Sequence, residues 1–368
     1  MIYGYTYIDH DIQKFHKGMM YFFQKMIELD LGAYDENQLL EEWFRPLVNK
    51  SPAALLGEMM KIVAAYHDLC DNEKTEVTEA FENNQDIKEI CEGNSDPKKY
   101  EHISNEAFRE LLDEFFASLW IRIANKDDGI NSKVVEECST IMNHFGEFRK
   151  HSNHKTRICP FCGLNGFKPS FSPTRNAYDH YLPKAQYPFI SVNFENLVPM
   201  CHDCNSDEKG ADDTPFEGAN RRVVYYPYDD TLACDHLEAV VIPNEVYDIN
   251  ELSTLLSDID WNYDLKSNGN DDIRLTAWND IFRLKGRYKE ILIEYEQLWF
   301  SILIQDYSDF KASGKSFAEF RSELLIDLKV EFVRTERSTV HHSYINFLLN
   351  TDSIEEDLDL LTTNNSDK

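Results

Sequence analysis

The 368-residue chain contains no run of about 18 apolar residues, so no membrane-spanning helix is expected. Its start, Met1-Ile2-Tyr3-Gly4, lacks a basic stretch followed by an apolar one, which predicts no secretory signal and a cytoplasmic location. Basic charge is scarce: 37 Lys and Arg face 66 Asp and Glu, a net charge of −29. Phosphate affinity normally comes from Lys and Arg, so the balance argues against indiscriminate nucleic-acid binding. No internal repeat is visible. The composition, 42% hydrophobic and 13% aromatic, excludes a disordered chain, and the length suffices for two or three domains.

Charge is unevenly spread. Residues 151–225 carry eight basic and eight acidic residues, so the whole acidic excess lies outside that window. The excess either keeps the chain soluble, docks a basic partner, or holds nucleic acid off until a partner supplies positive charge.

In a reducing cytoplasm, paired cysteines are metal ligands more often than disulfides. Cys159-Pro-Phe-Cys162 and Cys201-His-Asp-Cys204 are two such pairs, separated by 38 residues. Each turn can aim two thiolates at one tetrahedral ion, and together they close a structural zinc site. A redox motif wants a single pair near a βαβ unit, which two matched pairs argue against. His202 is an alternative to one of the thiolates. Cys70, Cys91, Cys138 and Cys234 are scattered and read as buried or inert thiols.

Residues 1–150 read as a helical domain. Ile12, Phe15, Met19, Phe22, Phe23 and Met26 recur at helical spacing. Ser51-Pro52 and Ser104 open two further helices, and a fourth is expected over 132–148. The charged stretch 73–100 between them is expected to be mobile. Residues 151–228 form a central module, rich in Pro, Gly and Asn, in which a metal replaces a core. Within it, 178–181 and 197–200 read as strands, with a helix from His202 to a stop at Gly210. Residues 229–350 read as an α+β, mainly helical region. Strands are expected at 222–227, 237–242 and 257–265, and helices at 275–298, 316–333 and 338–349. Trp278, Phe282, Arg283, Arg287 and Tyr288 share one expected helix, either as a nucleic-acid surface or as packing with solvated Arg. The acidic tail 351–368 is expected to be disordered. The fold class is therefore α+β, with helical flanks around a zinc-stapled centre.

Between the cysteine pairs lie Asp179-His180, Lys184 and Asn196, and after them Asn205 and Lys209-Gly210. This set, in this order, resembles the HNH endonuclease family with its ββα-metal fold, over roughly residues 159–210. The final letter of that name is Asn205 here instead of His. The resemblance implies His180 as general base, with Asp179 and Asn205 holding one Mg²⁺ or Mn²⁺, both hard ions suited to oxygen ligands. It implies that Asn196 fixes the strand carrying His180 through backbone hydrogen bonds. Lys184 and Lys209 are either phosphate contacts or solvated surface residues. The implied activity is hydrolysis of DNA phosphodiester bonds, under a partner's control. Proteins of this kind occur in anti-phage defence, and in Septu-like systems the partner is an ATPase. Two other readings stay open: an RNase with the same chemistry, and a non-catalytic zinc-stapled module whose acidic surface binds a protein.

Overall fold

Apolar residues at helical spacing build the N-terminal half. Phe15, Met19, Phe22, Phe23 and Met26 bury one face of the Gln13–Leu29 helix. Against it pack the Gly57–His67 helix, through Met59, Ile62 and Val63, and the Glu106–Ala124 helix, through Phe108, Leu112, Phe115 and Phe116. The structure is a computed structural model that describes residues 1–124, 133–134, 136, 138–151, 157–233, 236–244, 249–252, 259–331 and 334–365. Cys234 lies outside them.

Several helix starts differ in detail from the sequence reading. Ser51 makes no side-chain cap, and Pro52–Leu56 forms a π-helical turn ahead of Gly57–His67. Asn105, not Ser104, caps the next helix, its Oδ1 accepting the Phe108 N–H at 3.0 Å. Ser104 instead binds Glu76. The expected 132–148 helix is interrupted at Ser139, whose φ is +70°. A helix resumes at Ile141–Lys150 with Thr140 as its cap. Residues 132, 135 and 137 of that expectation lie outside the described residues.

The stretch expected to be mobile is folded. It holds the Asp71–Glu82 and Ile87–Glu92 helices, and Val77, Phe81, Ile87, Ile90 and Cys91 are buried. Charged neighbours mask an apolar spacing that is present. Cys70 is exposed, whereas Cys91 and Cys138 are buried.

The three sheets are two-stranded and antiparallel, so the described residues form an α+β fold. β1 (Tyr178–His180) pairs with β2 (Leu197–Pro199). β3 (Phe216–Glu217) pairs with β4 (Asn220–Arg221). The C-terminal hairpin, β5 (Leu237–Pro243) with β6 (Trp261–Ser267), runs for seven residue pairs. No strand forms at 222–227; the Val224 N–H there donates to the Cys91 carbonyl at 2.9 Å. The expected strand at 257–265 begins instead at Trp261, and its residues 257 and 258 are not described.

The C-terminal hairpin lies against two helices, Leu284–Ala312 and Ser338–Leu349. Trp261 meets Tyr344 edge-on at 5.8 Å, and Tyr263 meets Tyr288 at 5.7 Å. The single helix expected from Leu275 is two, Ile273–Phe282 and Leu284–Ala312. Arg283 breaks it in the left-handed region at φ +49°, a conformation that costs an L-residue roughly 1–2 kcal/mol and is held by the packing on either side. No described helix is long and apolar enough to cross a membrane.

The tail is not disordered over its described part. Ile354–Asn365 is a helix, with Glu355, Glu356 and Asp357 in its first turn, where acidic groups meet the positive end of the helix dipole. Ile354 and Leu358, four residues apart, are buried in the C-terminal core. Asp359 accepts from Tyr307 Oη at 2.7 Å and from Lys311 Nζ at 2.6 Å. Leu358→Ala is expected to lower unfolding stability by about 2–4 kcal/mol in a urea titration. An unchanged midpoint would place the tail outside the cooperative unit.

Candidate functional site

β1 and β2 lie at the seam between two hydrophobic cores. Because successive strand residues alternate faces, Tyr178 and Leu197 enter the N-terminal core while Val198 enters the other. Asp179 pairs with Val198 and His180 with Leu197. The two site residues therefore point to opposite faces of a regular ladder, and no bulge turns them together.

His180 faces the N-terminal helices. Its Nε2 donates to the Ser191 carbonyl at 2.8 Å. A carbonyl only accepts, so this bond puts the proton on Nε2 and leaves Nδ1 with its lone pair. Ser191 follows the tight turn Pro188–Ile190, which Phe189 anchors against Phe116 at 5.4 Å. Trp120 lies perpendicular to the imidazole, ring centres 5.2 Å apart. Burial lowers the His180 pKa to about 3, although the Ser191 carbonyl pulls the other way. The ring is neutral at pH 7.

Asp179 faces the segment after the second cysteine pair. Its side chain is 5% exposed and that of Lys209 is 1% exposed. Lys209 Nζ lies 3.3 Å from Asp179 Oδ1 and 3.1 Å from the His180 carbonyl. Oδ2 is 3.2 Å from the same ammonium but has no hydrogen bond. Burial pushes the Asp179 carboxyl above its ordinary value, and Lys209 offsets only part of this. Lys209 is thus an internal counter-charge and not a solvated surface residue. The expected 202–210 helix is a short π-helical turn, Asp203–Glu208, ended by Gly210 at φ +50°. Asn205 is half-buried on that turn, four residues before Lys209.

Asn196 is fully buried. Its Oδ1 accepts the Leu182 N–H at 2.7 Å and its Nδ2 donates to the Leu182 carbonyl at 2.9 Å. Its own carbonyl accepts the Tyr181 N–H at 2.9 Å. One side chain thereby locks the chain as it leaves β1. Lys184 is half-buried and reaches back to the Ala117 carbonyl at 3.4 Å.

Cys159, Cys162, Cys201 and Cys204 are all buried, and their sulfurs lie within 4.8 Å of one another. Cys162 and Cys201 Sγ are 3.8 Å apart. That is far beyond a disulfide bond, and close to the edge, about 3.8 Å, of a tetrahedron with zinc–sulfur bonds of about 2.3 Å. The donor set fits a structural zinc with no open position. His202 is exposed and grouped with Asp203 and Asp207, away from the sulfurs' role.

Of the aromatic and basic run of the C-terminal region, Trp278, Phe282, Arg287 and Tyr288 are buried and pack inward, while the Arg283 side chain is exposed. Trp278 Nε1 donates to the Phe161 carbonyl at 2.9 Å, and Tyr288 Oη to the Cys162 carbonyl at 2.9 Å. Phe282 meets Phe161 at 5.3 Å. Arg287 Nη1 lies 3.5 Å from Cys204 Sγ. The sequence reading missed these contacts, and Trp120 and Ser191 with them, because each joins residues far apart in the chain or lacks a motif of its own. Met1–Tyr5 is likewise buried, its Tyr3 Oη donating to the Ile158 carbonyl at 2.8 Å and its Tyr5 Oη to the Pro199 carbonyl at 2.8 Å.

No protein-family model matches the chain, and no solved structure matches it. The chain is similar to protein ea31 of Escherichia phage lambda, with 54% identity over 52 residues. That stretch is 14% of this chain and spans only 15% of the phage protein.

Metal analysis of the purified protein is expected to find one zinc per chain, and Cys204→Ser to lose it. A full complement of zinc in that variant would refute four-sulfur ligation. Acid is also expected to destabilise the fold through His180. Its folded pKa lies below the unfolded value of 6.5, so its contribution is complete above pH 6.5 and is lost as pH falls towards 3. Between pH 7 and pH 5 the loss amounts to roughly 1–2 kcal/mol, and urea titrations should show that share missing in His180→Asn. Lowered pKa values at His16, His236 and His341 leave the variant with a residual slope.

Proposed function

We propose that the chain is a metal-dependent HNH endonuclease that hydrolyses phosphodiester bonds of DNA, with a zinc staple as its scaffold. The observation that carries this reading is the neutral, oriented His180 on a strand whose next turn is clamped by Asn196. A base needs a free lone pair at a fixed position, and the Ser191 bond leaves Nδ1 in that state. The imidazole takes a proton from the water that attacks phosphorus.

Asp179 and Asn205 would hold Mg²⁺ or Mn²⁺ through oxygen, the donor such ions take; Asp179 Oδ2 accepts no hydrogen bond, although it lies 3.2 Å from the Lys209 ammonium. When bound, such an ion stabilises charge developing at the scissile phosphate and leaving oxygen. Lys209 holds Asp179 in place and supplies positive charge next to the strand. Asn196 keeps the backbone after β1 from moving, so that the Nδ1 position is set by the fold. The acidic excess outside the module favours control by a partner that brings basic charge. An ATPase partner in anti-phage defence is the proposed setting.

Plasmid DNA, single-stranded DNA and RNA incubated with Mg²⁺ or Mn²⁺ test the proposal. DNA is the expected substrate. His180→Ala is expected to slow cutting at least about 100-fold without unfolding the protein. Normal cutting by that variant removes His180 as the base, and cutting of RNA alone moves the substrate to RNA. Equal Mn²⁺ binding heats for wild type and Asp179→Ala would favour a zinc-stapled binding module.

A further inference from the structure

We propose that Arg287 is the counter-charge of the four-cysteine cage, so that the C-terminal helix carrying it completes the zinc site. The inference rests on the zinc reading of the four sulfurs.

Four thiolates around one Zn²⁺ leave two negative charges, and this cage is buried. Cys159, Cys162 and Cys204 have no exposed surface, and Cys201 is 2% exposed. Water cannot solvate the excess, and a buried charge is costly unless paired and hydrogen-bonded. Among the described residues, three donors approach the sulfurs. The Leu164 N–H reaches Cys162 Sγ at 3.4 Å, and Asn165 Nδ2 reaches Cys201 Sγ at 3.8 Å. The third is Arg287 Nη1 at Cys204, and of the three it alone carries charge.

The guanidinium is itself buried, 6% exposed, and its geometry is fixed on several sides. Nη1 also donates to the Phe282 carbonyl at 3.3 Å, where the chain turns through Arg283. Nε lies 3.6 Å from Glu208 and Nη2 3.7 Å from Asp203. These carboxylates have other partners: Arg283 lies 3.7 Å from Glu208, and Asn165 Nδ2 donates to Asp203 at 2.6 Å. The same Asn165 amide is the one at Cys201, so a polar network runs from Arg287 through Asp203 and Asn165 to Cys201, the other cysteine of the pair that Arg287 touches. The fork of an arginine suits this many-sided contact; the point charge of a lysine supplies the charge without the fork.

Arg287 lies 83 residues beyond Cys204, on the Leu284–Ala312 helix, which packs into the same hydrophobic core as the cysteines. Zinc retention and docking of the C-terminal body are therefore linked. A body that binds the loaded cage better than the empty one raises zinc affinity by the same factor. Arg287 is a positioning residue in this sense: it acts on the thiolates and does not bind the metal.

The test uses full-length, zinc-loaded protein at neutral pH with a chelating dye. Arg287→Met, which keeps length but not charge, is expected to release zinc about 10-fold or more faster than wild type. Arg287→Lys is expected to release it more slowly than Arg287→Met, because charge is restored. In cobalt-substituted protein, the sulfur-to-metal charge-transfer band of Arg287→Met is expected to move to lower energy, since an unneutralised thiolate gives up an electron more readily. Arg287→Lys is expected to restore the band, which a merely structural role for the side chain would not produce. Wild-type release rate and an unshifted band in Arg287→Met would overturn the inference. If Arg287→Met does not fold, Arg287→Lys decides: a folded protein with zinc retained supports it, and equal failure to fold overturns it. A wild-type protein purified without zinc removes the cage, and the inference falls with it.

Discussion

Everything in the centre of this protein depends on charge being placed where water cannot reach it. Four sulfurs staple a stretch with little regular structure, and they do so out of contact with solvent. A few residues away, a carboxylate and an ammonium face each other at 1–5% exposure. Neither arrangement is favourable by burial alone, since desolvation of each ion costs several kcal/mol. Each persists because a compensating group arrives from elsewhere in the fold. Arg287 comes to the sulfurs from the C-terminal helix, and Lys209 comes to Asp179 from the segment that follows the last cysteine. The module therefore depends on its surroundings in a way that a self-contained zinc finger does not.

The seam between two cores explains the contrast between the neighbours Asp179 and His180. Strand alternation sends one to each side. On the N-terminal side Trp120 lies against the imidazole, and burial, with a smaller push from Lys184 and Lys209, holds the ring neutral. On the other side a buried lysine supplies positive charge, yet burial still raises the carboxyl pKa. Titratable groups whose environments push their pKa values in opposite directions can take different chemical roles. Here a single residue step along a strand separates the two environments.

Local features were legible in the sequence. The cysteine spacing, the strands at 178–180 and 197–199, the stop at Gly210 and the helices at 317–331 and 338–349 depend on contacts or dihedral preferences within a few residues. What escaped was decided at long range. Arg283 and Ser139 take positive φ although neither is glycine, so tertiary packing overrode local preference there. The tail was read from its charge, but Ile354 and Leu358, one turn apart, dock it to the core, with Asp359 bound to Tyr307 and Lys311. Lys209 has the sequence character of a solvated residue. Only the fold shows that its ammonium lies inside, against Asp179 and the His180 carbonyl.

That placement of Lys209 bears on how a divalent ion could be held on the proposed reading. Its ammonium already lies 3.2–3.3 Å from both carboxylate oxygens of Asp179. A divalent ion at the same carboxylate must either displace it or share the group with it, and two cations close together repel. Sharing would keep the lysine hydrogen bond at Oδ1, but the ammonium would have to move away from Oδ2, which it now meets at 3.2 Å. Under sharing, the carboxylate loses its raised pKa when the ion arrives, because a second opposite charge favours the ionised form. Under displacement, a buried ammonium would need a new acceptor. The His180 carbonyl at 3.1 Å is already in reach, but a neutral carbonyl replaces only part of what an anion supplies. On the proposed reading, an ion that joined the Asp179–Lys209 pair would leave less buried charge unpaired than one that broke it.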